Sequence, residues 1–429
     1  MYKTIEHYFP DLYTRLNNFS DQRKGGTYSV CELLVGGLSL FLFKEGSRNA
    51  FNLDRKEGKF RQNYERLFKM KLPHMDTVEE LFRQLPQEEL EQLKPILLGE
   101  LMAKKVLHKF KVLGKSFIIA IDGVHLATYE ADYCGACLHK TSKKGKTKYF
   151  HYALEAKLLT SSGLSLSVAT EWIANTEQEY DKQDCELKAF GRLAKTLKRY
   201  FPRLPICIAA DGLYPNQTFF EICKKHHWDF ILTFKDGNLS SVWEEIGLLP
   251  PSAKHHSTHR IKSKTKKITR SYSWINEMDY HRHQLSWVEC KEETTELKNQ
   301  ESTQARFVHL SNFKLNAQTA PEVSQGGRLR WKIENEGFNI QKNQGYGLGH
   351  KFSRVSFNAF KNYYQAMQIA HMINQLLSHS KEITQLLKSD SKLTLKHLWK
   401  QLLSVLTYLE LDAQELEKIT ERPSQIRLC

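Results

Sequence analysis

The 429-residue sequence predicts a mixed α/β sheet with helical regions at both ends and a β-rich insertion. Three observations lead there. Apolar residues fall three and four apart before about residue 110, and continuous apolar runs that close on Asp-Gly follow. Helical spacing then returns after about residue 328. Periods of 3.6 mark amphipathic helices, and unbroken short apolar runs mark strands covered on both faces. Apolar residues at 41% and aromatic residues at 11% supply a sizeable core, which excludes a disordered chain.

Residues 1–112 read as a helical region. Segments 78–85 and 90–107 carry the helical pattern, with Pro86 and Pro95 as starts or breaks. Residues 113–234 read as the first part of an α/β core. Its first strand, 117–121, ends in Asp122-Gly123, and strands 148–160 and 164–172 follow around the turn Ser161-Ser162-Gly163. A helix at about 181–200 leads to strand 206–210, which ends in Asp211-Gly212. A helix at 216–227 and strand 228–234 complete the series. Strands reached through helices should lie parallel to the first strand, and ligands gather beyond the carboxyl ends of such strands. Residues 235–325 read as an inserted, basic β subdomain, residues 326–380 as the helical completion of the core, and residues 381–429 as a helical C-terminal region. Phe360, Tyr363, Met367, Ala370, Ile373 and Leu377 form one expected apolar stripe. Leu395, Leu398, Leu402, Val405 and Leu409 form another.

Lys plus Arg number 63 and Asp plus Glu 48, a net charge of +15, which favours a polyanionic partner through counterion release. No signal sequence or membrane span is apparent, and eight scattered cysteines suit a reducing compartment, so a cytoplasmic, nucleoid-associated protein is expected.

Asp122 and Asp211 are 89 positions apart (211 minus 122), each directly after a buried strand. A carboxylate so placed is held by rigid backbone and points out of the sheet, which suits a divalent metal ligand. Taken singly, each Asp-Gly also reads as a simple turn. Glu334 is the best third acid, since Arg330 stands one helical turn before it and Trp331, Ile333 and Phe338 can anchor the helix. Glu336 is a rival, and an ordinary surface ion pair is the bland alternative.

These segments carry a resemblance. The pieces Ile121-Asp122-Gly123, Ala210-Asp211-Gly212-Leu213, residues 330–336 and residues 342–346 resemble the DDE-type, cut-and-paste insertion-sequence transposases whose last acid follows a β-strand insertion. The resemblance implies an RNase H-like catalytic domain in which Asp122, Asp211 and Glu334 hold two Mg²⁺ or Mn²⁺ ions. It also implies a tyrosine, arginine, glutamate, lysine signature on the final helix. Arg330 and Glu334 are in register with that signature, but Gly327 replaces the tyrosine and Gln341 the lysine. Lys342 and Tyr346 are the candidates to make those phosphate contacts instead. The implied partners are double-stranded DNA, as element terminal repeats and target, and a second copy of the chain in a dimer. The implied chemistry is cutting at element ends followed by strand transfer; a metal-dependent DNA nuclease and an inactive DNA-binding protein are the alternatives. A glycosidase would need neither the basic excess nor Arg330 beside its third acid.

Three further features bear on partners. Cys134 and Cys137, with Cys185 and either His151 or His139, are candidate ligands for a structural Zn²⁺, against the alternative of buried thiols. The segment 254–270 holds seven Lys or Arg and no acid, and an extended chain there would line Arg260, Lys262, Lys264 and Lys266 along one face as a DNA-backbone ladder, joined by Lys143, Lys144, Lys146 and Lys148. The loop 343–350 carries glycines that permit close approach to DNA. The N-terminal helices are candidates for DNA-end recognition or for a packing or dimer contact.

Overall fold

The computed structural model describes residues 1–23, 25–133, 135–175, 183–421 and 426–428. Ten strands form one mixed sheet: β1 (Phe117–Tyr129), β2 (Leu138–Thr141), β3 (Thr147–Leu159), β4 (Ser165–Ile173), β5 (Ile206–Ala210), β6 (Asp229–Thr233), β7 (His255–Lys262), β8 (Lys266–Tyr280), β9 (His283–Glu296) and β10 (Ser302–Ser311). Their lateral order is β2-β3-β1-β5-β6-β10-β9-β8-β7, with β4 beside β3 on the edge that β2 also uses. The pairs β1/β5 and β5/β6 are parallel, and all others are antiparallel. The helix Glu186–Tyr200 leads into β5 and Gln217–His226 joins β5 to β6, the crossover that parallel strands require.

Two expectations change. The first strand does not stop at Asp122: β1 continues to Tyr129, paired antiparallel with β3, so Asp122 and Gly123 lie within a strand rather than in a turn. The insertion is also not a separate subdomain. Its last strand, β10, pairs antiparallel with β6 at His309↔Thr233 and Ser311↔Ile231, which extends the core sheet through β9, β8 and β7. The helix Thr319–Leu329 then covers this extension and lies across the expected boundary at 325. Gly326 permits the contact, since a Cβ there would stand 2.9 Å from Ile231 Cδ1.

The helix Phe357–Ser378 runs through the middle of the molecule. Its expected apolar stripe is present, but the helix is buried all round, with Asn362, Gln365, Gln368, His371 and Asn374 also enclosed. It packs on helices Val30–Leu42, Met75–Gln84 and Gln87–Ala103 and on β4, so the N-terminal helices are a layer of the same core. Buried amides need partners in such a place. Asn362 donates to the Phe82 and Leu85 carbonyls, and Gln375 donates to the Ser165 carbonyl. Gln368 Oε1 accepts from Lys157 Nζ at 2.7 Å and from Gln341 at 2.8 Å. The second stripe is less covered: in helix Leu395–Tyr408, Leu398 and Trp399 are buried, whereas Leu402, and Leu409 just past the helix end, are exposed. No helix among the described residues is long and apolar enough to cross a membrane.

Burial holds the Lys157 ammonium down at about 8, so its bond to Gln368 matters. Gln368→Leu should cost about 2–3 kcal/mol because it strands a buried donor. Lys157→Met combined with Gln368→Leu should cost less than Gln368→Leu alone in urea unfolding; equal or greater loss in the double variant would refute this account.

Candidate active site

The register of the central strands brings the two aspartates together. β1 and β5 pair at Phe117↔Ile206 through Ala120↔Ala209, a constant offset of 89 (206 minus 117). Continued two residues, the same register sets Asp122 opposite Asp211, where β5 ends and β1 runs on. Side chains alternate faces along a strand, so Ile118, Ala120 and Asp122 share one face. That is the face on which the helix Thr319–Leu329 packs, since a Cβ on Gly326 would touch both Ile118 and Ile231.

The chain after this helix carries the third acid over the same place. Arg330 is buried, and its Nη1 lies 3.0 Å from Glu334 Oε1 and 3.4 Å from Asp122 Oδ2. A guanidinium enclosed between two carboxylates is not a surface ion pair. The rival Glu336 faces Lys332 at 3.7 Å instead. Glu334 sits in a π-helical turn, Ile333–Phe338, within an otherwise α-helical stretch. Such turns re-aim side chains and cluster at functional sites.

A fourth acid, Glu186, acts on Asp122 through its charge from the Gly123 face of β1 and was not singled out in the sequence. It stands in the first turn of helix Glu186–Tyr200 and accepts from Tyr152 Oη at 2.7 Å and Tyr214 Oη at 3.3 Å. Gly123 has its reason here, because a Cβ at that position would overlap both Tyr152 Oη and the Glu186 carboxylate. Gly212 plays a similar part: its carbonyl accepts from Asn238, and a Cβ would press on Lys235, whose Nζ lies 4.0 Å from Asp211.

Burial, opposed by Arg330 and reinforced by the negative charges of Glu334, Glu186 and Asp211, pushes the Asp122 carboxyl up to about 7. Burial and then Glu186 raise Tyr214 well above its usual value, so both tyrosines act as donors. Among the described residues no three His, Cys, Asp or Glu side chains stand close enough to form a ready-made metal cage. Arg330 explains this, because its guanidinium already lies between two of the acids. By donor chemistry the cluster nevertheless fits a hard divalent cation, which takes carboxylate oxygens and relieves crowded negative charge.

The other expected site residues divide. Lys342 is exposed and close enough to His125 that, after burial, its charge lowers the imidazole. Tyr346 is corrected: it is 1% exposed and its hydroxyl accepts from Asn374 at 2.9 Å, so it packs the core and cannot meet a phosphate. Gln341 is likewise buried, on Gln368 and His371. Gly327 has no room for the signature's tyrosine, since any side chain would enter the buried His309 ring.

The basic ladder is also redrawn. The chain turns at 263–265, so Arg260 and Lys262 share a face with Lys267, which pairs opposite Lys262. Lys266 falls on the other face and meets Glu296 at 2.7 Å, with Lys264 in the turn. Of the zinc candidates, Cys137 Sγ lies 3.9 Å from His151 Nδ1, His151 stacks on Phe357, Cys185 is exposed, and Cys134 lies outside the described residues.

The Asp122 shift fixes a pH dependence. Its folded value is about 7 against an ordinary 3.8, so the folded chain binds the extra proton. Stability from this group is therefore full below about pH 4 and is lost as pH rises through 7. In chelator, Asp122→Asn should melt a few °C above the parent at pH 8, with the gap narrowing towards pH 5. A gap that is the same at both pH values would contradict the assignment.

No protein-family model matches the chain, and no curated protein matches it in sequence. Among solved structures, it is similar to the piggyBac transposase synaptic complex with hairpin DNA determined by cryo-EM. That likeness has 10% identity and a TM-score of 0.44 over 98% of this chain and 82% of the other.

Proposed function

We propose that this chain is a DDE-type DNA transposase of an insertion sequence, with an RNase H-like core that cuts DNA at element ends and joins them to a target. The observation that carries this reading is the meeting of Asp122 and Asp211 by strand register beneath the Arg330–Glu334 pair. The RNase H-like reading is supported by the order β4-β3-β1-β5-β6, in which three antiparallel strands precede two parallel ones.

In this mechanism Asp122, Asp211 and Glu334 would hold two Mg²⁺ or Mn²⁺ ions. When bound, such ions supply Lewis-acid stabilisation of an in-line phosphoryl transfer and lower the pKa of the attacking water or 3′-hydroxyl. The chain's own residues prepare the place. Asp122 is fixed by its strand, paired with Glu155 of β3, and Asp211 by its backbone bonds, its Oδ1 accepting from Leu213 N at 2.8 Å. Arg330 neutralises Asp122 and Glu334 in the metal-free chain and would be the cation beside a phosphate held at these acids. Tyr152 and Tyr214 orient Glu186, which adds negative charge beside Asp122. The partner is duplex DNA, and two ends cut together call for two copies of the chain.

Labelled duplexes spanning the borders of the chain's own genetic element, incubated with protein and Mg²⁺, should give joined products. Nicks without joining would reduce the reading to a nuclease, and a mobility shift alone would end it. Asp122→Asn and Asp211→Asn should abolish both steps while DNA still binds. Arg330→Ala should slow cleavage by about 10²–10³, the usual loss for a preorganised charge-stabilising donor.

A further inference from the structure

A polar groove of about 720 Å³ lies between the N-terminal helices Arg48–Asp54 and Met75–Gln84 and the loop that follows the glutamate helix. Arg48, Lys56, Arg83, Lys351 and Arg354 line it, against Asp76 and Glu79, a surplus of three positive charges (five minus two). The surplus is not consumed within the fold. Arg48 and Arg83 share the single buried Glu79, at 2.9 and 3.4 Å, and Ser353 also donates to that carboxylate. Arg354 and Lys56 are exposed. His350, at the groove's edge, is held below its ordinary value by burial and then by Arg354 and Arg48, so cations crowd this place.

Basic side chains also bridge the stretch of β1 between the acids and the groove. Along β1 after Asp122, Lys342 faces His125, Gly349 passes the Leu126 carbonyl, and Lys351 Nζ stands 4.8 Å from the Tyr129 ring centroid. Seven residues of strand span roughly 23 Å. Positive groups therefore recur along this stretch, with Arg330 at the acids, Lys342 beside His125 and Lys351 at the groove.

We propose that this groove holds the phosphodiester backbone of duplex DNA that runs on from the strand bound at the acids. The inference rests on the reading of those acids as a DNA-processing site, and it gives the N-terminal helices their part in DNA binding. Lys56, Lys351 and Arg354 make the contacts; Arg48 and Arg83, tied to Glu79, form the positive floor.

Fluorescence anisotropy of a 30-base-pair duplex, titrated with NaCl, tests it. In wild type, binding should weaken steeply with salt, with a slope near 0.9 per phosphate neutralised. The Lys56→Ala/Lys351→Ala/Arg354→Ala variant should lose about 2–3 from that slope and at least tenfold in affinity at about 0.1 M salt, with unchanged melting temperature. A control variant, Lys392→Ala/Lys396→Ala/Lys400→Ala, removes the same charge from exposed positions in the C-terminal region and should bind like wild type. If the two variants bind alike, the groove proposal falls, whatever the cleavage assay shows. Wild type that cleaves DNA while the groove variant binds normally overturns the groove alone, whereas wild type that neither binds nor cleaves overturns both readings. Equal loss of polyglutamate binding would also overturn it, by showing an unspecific polyanion surface.

Discussion

The parallel pairing of β1 with β5 is the constraint on which the site depends. It is made of only four paired positions, each fully buried, so a slip of either strand would draw a flanking polar residue such as Asp211 or Lys115 into an apolar layer. That lock fixes the offset of 89 and with it the meeting of Asp122 and Asp211. The crossover helices and β3 hold the strands in line, and the buried helix Phe357–Ser378 clamps the sheet to the N-terminal layer. Rigid backbone beneath the acids lets them be crowded without moving apart.

Crowding is the second theme. Negative charge gathers around Asp122, and burial is the largest reason its carboxyl is raised; its side chain is 21% exposed against 33% for Asp211 and 40% for Glu334. Arg330 is the internal counter-charge. The glycines at 123 and 327 belong to the same economy of space: one admits Tyr152 and Glu186, the other admits His309. In both cases the missing side chain is explained by what occupies its room.

Much of this was legible because buried strands announce themselves as apolar runs and because equal strand length before each aspartate reflects their register. The Arg330–Glu334 pair was legible from its four-residue spacing. What escaped depends on distant contacts. Glu186 reads as an ordinary acid in a helix's first turn until Tyr152 and Tyr214 close on it. The joining of the insertion to the core rests on a short pairing, His309–Ser311 with Ile231–Thr233, between segments some eighty residues apart in sequence. Lys266 changed face because the turn begins three residues earlier than an extended ladder allows. Tyr346 looked available because the groups that enclose it, Asn374, His371 and Lys44, stand far from it in sequence.

The unbroken sheet has a geometric consequence. From β5 to β7 the acids and the basic hairpin are separated by five lateral strand spacings, about 24 Å, with hydrogen bonds and no flexible tether between them. The hairpin is therefore a fixed arm, and the interval between what its tip touches and where the acids stand is set by strand count and by the seven residues that β10 runs from Ser302 to its pairing with β6 at His309. Its lateral reach can be re-gauged only by gaining or losing a whole hairpin, in steps of about 10 Å.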